Sequence, residues 1–454
     1  MKAPAQIDVS QFINSYPLSR FQLSTIALCF LIVVVDGIDL GLAAYIAPSV
    51  RHEWGLSPAQ LAPVFVAALI GMMTGALMFG PLADRWGRRP TLLASVGFFS
   101  AATLLTLLVE NVWQLAAARF LCGIGIGAAM PIAAALTAEF SPSGRRLSIV
   151  TAMQCGNSLG SAFGGVVASK LIAQFGWHSM LLFGGIAPLV LLPILWIWLP
   201  ESMRFIALQR PCDQTALRAM ASRIAGSPCQ PGTIFTAAQS IALRSRLGAL
   251  LQPGYVRGTL CLWTTFFMGL SVLFLMANWL PTIVAGSGAT LKTASLVTAL
   301  WSVGGTSGGL LLGRLMDRCT PHRVLVGSYA LACLVLFLVG QIYTYPLLLG
   351  ALVFCAGFCV SGAQVGIIAL ATAFYPTAIR VTGVAWANGI GRLGSILGAA
   401  MGGYLLTSGL GYGALFAIIC LPTVVAALCM HRMSAAAPSH SDLSHTRAGE
   451  RAQP

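Results

Sequence analysis

The chain has 454 residues, 57% of them hydrophobic and only 8% charged, with 49 glycines and a formal net charge of +14. A soluble domain carries about 25% charged residues, so this chain cannot cover a water-exposed surface and is not a soluble enzyme. The Lys and Arg residues gather in particular loops and form no basic stripe interleaved with aromatics, which excludes nucleic acid as the partner and leaves the lipid bilayer.

Residues 1–23 are mostly polar, and the first apolar run is long and contains two aspartates. That pattern predicts an uncleaved first span rather than a signal peptide. A bilayer asks for apolar runs of about 20 residues whose backbone is satisfied within the helix. Twelve such runs follow: 24–47, 60–80, 91–109, 113–137, 148–172, 179–199, 258–281, 293–313, 323–342, 346–373, 382–407 and 411–430. The expected fold is an all-α membrane protein. Its parts are an N-terminal segment 1–23, a six-helix half over 24–199, an Arg-rich polar loop 200–257, a second six-helix half over 258–430 and a tail 431–454. The polar stretch from Ser434 to Pro454 predicts disorder.

The 12 cysteines lie mostly inside apolar runs, with no CxxC and no Cys/His cluster at zinc spacing. Neither disulfides, a metal nor any other cofactor is expected. Gly123, Gly125 and Gly127 sit in an apolar helix with no preceding strand, and no Walker A sequence occurs, so ATP does not drive this protein.

The termini and the loops after even-numbered spans hold 21 of the 26 Lys and Arg residues, whereas the opposite loops hold only Arg51, Lys170 and Lys292. The positive-inside rule therefore predicts cytoplasmic termini and a cytoplasmic central loop. The two halves also repeat. Gly80-Pro-Leu-Ala-Asp84-Arg85 recurs as Gly313-Arg-Leu-Met-Asp317-Arg318, Phe140-Ser-Pro-Ser as Phe374-Tyr-Pro-Thr, and Leu159-Gly-Ser as Leu393-Gly-Ser, at offsets of 233 or 234 residues. A duplicated six-helix unit with a site between its copies is a transporter architecture.

Gly80 through Arg89, reading G-P-L-A-D-R-W-G-R-R, closely resembles the loop 2–3 signature of the major facilitator superfamily. A narrower resemblance covers nearly the whole chain. Asp36–Asp39 (D-G-I-D), Arg119–Pro131, Gly176–Ser179 (G-W-H-S), Leu199–Ser202 (L-P-E-S), Asn278–Thr282 (N-W-L-P-T), Tyr375–Trp386 and Gly389–Arg392 resemble the aromatic acid:proton symporter family. The opening D-V-S-Q-F-I-N-S-Y-P-L-S-R is similar to the 4-hydroxybenzoate branch of that family. The resemblance implies import of a benzoate-type carboxylate with protons across a bacterial inner membrane. An exporter or antiporter of other organic anions and a membrane sensor of aromatic acids remain as alternatives. Oligomeric state is open, and a monomer is expected to function.

Ionisable groups inside spans are functional candidates by default. Asp36 and Asp39, three residues apart in span one, are expected to couple protons. Arg119 lies roughly 9 Å below the outer end of span four and Asp39 roughly 12 Å below that of span one, at 1.5 Å per residue, so the two can pair. Arg392 lies about 15 Å into span eleven, near the midplane, where a guanidinium fork suits a carboxylate. Arg392 and Arg119 are the expected substrate cations, with Asn278, Gln364 and Asn388 as polar lining. Gly123 and Gly127 continue the Arg119 face and allow a helix or a flat substrate to approach. Asp84, Arg85, Arg88 and Glu139, with Asp317 and Arg318 in the second half, are expected to form a cytoplasmic charge latch.

Overall fold

The structure, a computed structural model, describes residues 6–209, 211–229, 233–237, 247–252, 254–342, 345–375 and 379–436. In chain order the elements are β1 (Gln6–Asp8), α1 (Val9–Ser15), α2 (Arg20–Trp54), α3 (Pro58–Trp86), α4 (Arg88–Leu105), α5 (Val112–Glu139), α6 (Arg146–Phe175), α7 (His178–Trp198), α8 (Met203–Gln209), α9 (Gln214–Ala225) and β2 (Ile234–Thr236). Then come α10 (Val256–Gly286), α11 (Leu291–Arg318), α12 (Pro321–Gln341), α13 (Pro346–Phe374), α14 (Arg380–Thr407) and α15 (Tyr412–Ala436). Most of the predicted tail, from residue 437 onward, lies outside the described residues.

The long helices are α2–α7 and α10–α15. They overrun the apolar stretches that predict them, because caps rather than hydropathy end a helix. In α2 the Ser19 hydroxyl accepts from Gln22 N at 3.2 Å while Gln22 Oε1 accepts from Ser19 N at 2.9 Å. At its far end Gly55 turns left-handed with φ 62°, a conformation glycine adopts without steric cost. Ten of these helices are long and apolar enough to cross a bilayer. The two that fall short, α6 and α14, occupy equivalent fifth and eleventh places and carry Gln154, Asn157 and Ser161, and Asn388, Arg392 and Ser395. A helix enclosed by protein on several sides tolerates polar groups that lipid would not.

Packing repeats the duplication seen in the sequence. In the first half α2 packs on α6, α3 on α5 and α4 on α7; in the second α10 packs on α14, α11 on α13 and α12 on α15. One close seam is α3 against α5, with α11 against α13 as its counterpart in the second half. A Cβ at Gly71 or Gly75 would collide with the carbonyls of Phe120 and Ile124, and one at Gly123 or Gly127 with those of Ala68 and Met72. Small residues let backbones meet where the hydrophobic effect gives no drive. The face of Gly123 and Gly127 is thus filled by α3 and leaves no room there for a substrate.

The first segment and the central loop, read from sequence as separate polar stretches, fold together. β1 pairs with β2 in parallel, Gln6 opposite Ile234 and Asp8 opposite Thr236. Phe12 meets Phe235 edge-on at 5.3 Å. Val9, Phe12, Ile13, Leu217, Ile224 and Phe235 are all buried. Asn14 Oδ1 accepts from Ser143 N at 2.7 Å, and Arg223 lies over the Phe21 ring at 5.7 Å, which fastens this module to the first half. Truncating Phe12 to Ala is expected to loosen it by about 3 kcal/mol. Hydrogen exchange over residues 203–236 should accelerate accordingly, with α3 and α5 unaffected.

Candidate functional site

The charges inside the first half form two adjacent groups on α2. Asp39 faces α4 and α5: its Oδ2 lies 3.4 Å from Arg119 Nη1 and its Oδ1 accepts from Thr103 Oγ1 at 2.7 Å. Arg119 Nη2 reaches Cys122 Sγ at 3.3 Å. The side chains are 2% exposed for Arg119 and 0% for Asp39, so water does not weaken this pair. Asp36, also buried, faces α6 instead, with Asn157 Nδ2 donating to its Oδ2 at 3.4 Å. A three-residue step leaves about 60° between side chains on a helix, which sends the aspartates to different neighbours. Asp36 Oδ1 is buried without a hydrogen-bond partner. Of the two carboxylates, one is paired with a cation and the other is not.

Arg119, expected as a substrate cation, is sealed against Asp39 in this state. Arg392 differs. It is half-buried on α14 and has no side-chain partner among the described residues. One turn away on α14, Asn388 donates to Val384 O at 3.0 Å. On neighbouring helices of the same half, the buried Gln364 of α13 accepts from Tyr329 at 3.4 Å. The buried Asn278 of α10 has an Nδ2 with no partner.

The halves meet toward the end opposite the termini. There Tyr45 donates to Ser161 O at 2.9 Å and Ser302 to Ser161 Oγ at 3.2 Å, joining α2 and α6 to α11. Phe65 of α3 meets Trp279 of α10 at 5.0 Å, and Trp279 Nε1 donates to Ala399 O at 2.8 Å. Gly165 lies against Ser295 and Ala299, and Gly403 against Pro58 and Ala62. Among the described residues these contacts join the halves toward that end.

At the arginine-rich end Arg88 bridges Asp84 at 2.9 Å and Glu139 at 3.5 Å. Glu201 Oε1 accepts from the backbone N of Arg88 at 2.9 Å and of Arg89 at 3.3 Å, an anion placed on the N-terminus of α4. Asp84, Arg88, Arg89 and Glu139 belong to the first half, and Glu201 opens the central loop. Arg85 and Arg318 are exposed with no side-chain partner among the described residues, and the Asp317 side chain lies outside the described residues. Sequence reasoning missed Thr103, Cys122, Glu201 and the Tyr45–Ser161–Ser302 contact. Glu201 carried a signal as the acid of L-P-E-S, Cys122 as part of Arg119–Pro131 and Ser161 as part of the repeated Leu159-Gly-Ser; Thr103, Tyr45 and Ser302 carried none.

Two six-helix halves with equivalent packing, joined along one seam, have the architecture of a secondary membrane transporter. The Major Facilitator Superfamily model matches residues 29–294 and 262–451, and the chain belongs to that superfamily; it is a transporter, not an enzyme. It is 42% identical over 433 residues to the 4-hydroxybenzoate transporter PcaK of Pseudomonas aeruginosa, covering 94% of this chain and 95% of that one. It is likewise 42% identical over 430 residues to the gallate transporter of Pseudomonas putida, covering 94% and 95%. Its fold is similar to the partially occluded inward-open xylose transporter XylE of E. coli, with a TM-score of 0.69 at 19% identity, covering 91% of this chain and 98% of that one.

Proposed function

We propose that this protein imports a single-ring aromatic carboxylate, 4-hydroxybenzoate or a related benzoate-type acid, together with protons across the bacterial inner membrane. The observation that carries the reading is the division of charge between the halves: in one, Arg392, a guanidinium without a side-chain partner among the described residues; in the other, two buried carboxylates of which only Asp39 meets a cation, Arg119. The names of the relatives, which include 4-hydroxybenzoate and gallate transporters, support the substrate class. The excess of arginine at the end holding the termini supports a cytoplasmic location for that end.

In this mechanism the substrate carboxylate lies on the Arg392 fork, with Gln364 and Asn388 lining the site. Asp39 is held by Arg119 and Thr103, so Arg119 serves coupling rather than substrate contact. Asp36, whose second oxygen has no partner, takes the proton. Coupling has a physical motive, because an anion entering a cell that is negative inside works against about 2.3 kcal/mol per 100 mV. One proton per monoanion cancels that cost and a second makes entry favourable. When the cytoplasmic end closes, Asp84, Arg85, Arg88 and Glu139 of the first half meet the repeat around Asp317 and Arg318.

The test is uptake of radiolabelled 4-hydroxybenzoate into proteoliposomes under an imposed proton gradient. Accumulation driven by an inward proton gradient is the expected result. Stimulation by the outward gradient instead would make the protein an antiporter, and binding without movement would make it a sensor. Absence of uptake for protocatechuate, benzoate, gallate and 3-hydroxybenzoate as well would remove the aromatic-acid assignment.

A further inference from the structure

Beyond the contacts that join the halves, at the end opposite the termini, lies a cleft of about 810 Å³, within the range of small-molecule sites. Both halves wall it: Ser49, Arg51 and Glu53 from α2 and Trp177 before α7 on one side, Thr282 and Gly286 of α10 on the other. It is remote from the buried charges, since Arg51 lies twelve residues beyond Asp39 on α2, or roughly 18 Å along the axis.

Three groups in the cleft have unused hydrogen-bonding capacity. Thr282 is 2% exposed, and its Oγ1 has no partner. Ser49 Oγ, from the other half, is also buried and without one. Arg51 donates through Nε to Leu56 O at 3.3 Å and has no ion-pair partner among the described residues. The acid in the cleft, Glu53, accepts through Oε2 from Trp177 Nε1 at 2.7 Å, so one of its oxygens is already engaged. Buried hydroxyls left unsatisfied are unfavourable, and two of them lining one cleft with an arginine suit an anion with several oxygens. One turn deeper on α10, Asn278 offers a further unpartnered donor.

We propose that this cleft is a second carboxylate site, which holds the aromatic acid on the outer face while the halves meet at that end. Arg51 takes the carboxylate, and Ser49 and Thr282 bond its oxygens or a ring hydroxyl. Because hydroxyls from the two halves share one ligand, the site is dismantled as the outer end opens, and the acid is released toward Asn278 and the centre. The inference rests on the transport reading given above.

The test is equilibrium binding of labelled 4-hydroxybenzoate to the full-length protein in nanodiscs, with Arg392→Ala removing the central site. That variant is expected to keep a weaker class of binding. Adding Arg51→Gln should weaken it on the order of tenfold, as for loss of a charge-assisted hydrogen bond. The near-isosteric Thr282→Val, which leaves every charge in place, should weaken it severalfold. Wild type that transports the acid while Arg392→Ala binds none overturns the cleft site and leaves the transport reading intact. Residual binding indifferent to both cleft substitutions does the same. Wild type that neither binds nor transports any acid of the panel overturns both.

Discussion

Asp36→Asn is expected to abolish accumulation of the aromatic acid while sparing exchange of labelled for unlabelled acid across the membrane. Asparagine copies the shape of a protonated carboxyl, keeps the contact with Asn157 (3.4 Å in the native chain) and cannot release a proton. The carrier then cycles only in its loaded form. Net gradient-driven uptake should fall to the background of protein-free vesicles, while counterflow continues. Asp39→Asn should behave differently. It leaves Arg119, 2% exposed, as an uncompensated buried cation, a change that costs about 3–5 kcal/mol. Exchange and thermal stability should both be lost. The measurement is counterflow and gradient-driven uptake on the same vesicles, with a melting curve for each variant. Asp36→Asn that still accumulates substrate like wild type would remove Asp36 as the proton carrier. Identical behaviour of the two variants would make the aspartates one structural unit.

Arg392→Ala is expected to lower kcat/KM for uptake on the order of a hundredfold or more, the consequence of removing one partner from a desolvated charge pair. Arg392→Lys should recover little of it. An ammonium keeps the charge but cannot offer two parallel N–H groups to a carboxylate. Folding should be unaffected, because the contacts of α14 with α10 run through Gly394 and Gly398 against Phe267 and Ser271, not through the arginine. Uptake kinetics of both variants, with competition by the uncharged methyl ester of the substrate, check this. The ester should compete equally weakly against wild type and Arg392→Ala. Full activity in the lysine variant would show that a point charge suffices, and full activity in the alanine variant would take Arg392 out of the site.

These two expectations stand on different levels of legibility. That Asp39 and Arg119 share a depth follows from counting residues at a fixed rise per residue, and their contact at 3.4 Å agrees with that count. That Asp36 turns away from them toward α6 does not follow, because a three-residue step leaves two side chains close enough to share a face or to part. Thr103, which donates to Asp39 at 2.7 Å, is indistinguishable by sequence from the other hydroxyls of span three. Ser161 and Ser302 join the halves at 3.2 Å although 141 residues separate them; the repeated Leu159-Gly-Ser marks Ser161 but not its partner. The paired strands β1 and β2 are three residues each, too short to show an alternating pattern.

The sequence by itself determined the solvent, the helices, the side on which basic residues collect and the duplication, since each is a property of composition or spacing along the chain and a bilayer enforces it span by span. Tertiary structure alone decided which charges meet, which aspartate is left without a cation, that α3 fills the glycine face of α5, and through which residues the halves meet. Those outcomes depend on how rigid helices rotate and approach one another, and small residues, hydroxyls and amides that look alike in a row become distinct only when a partner from another helix reaches them.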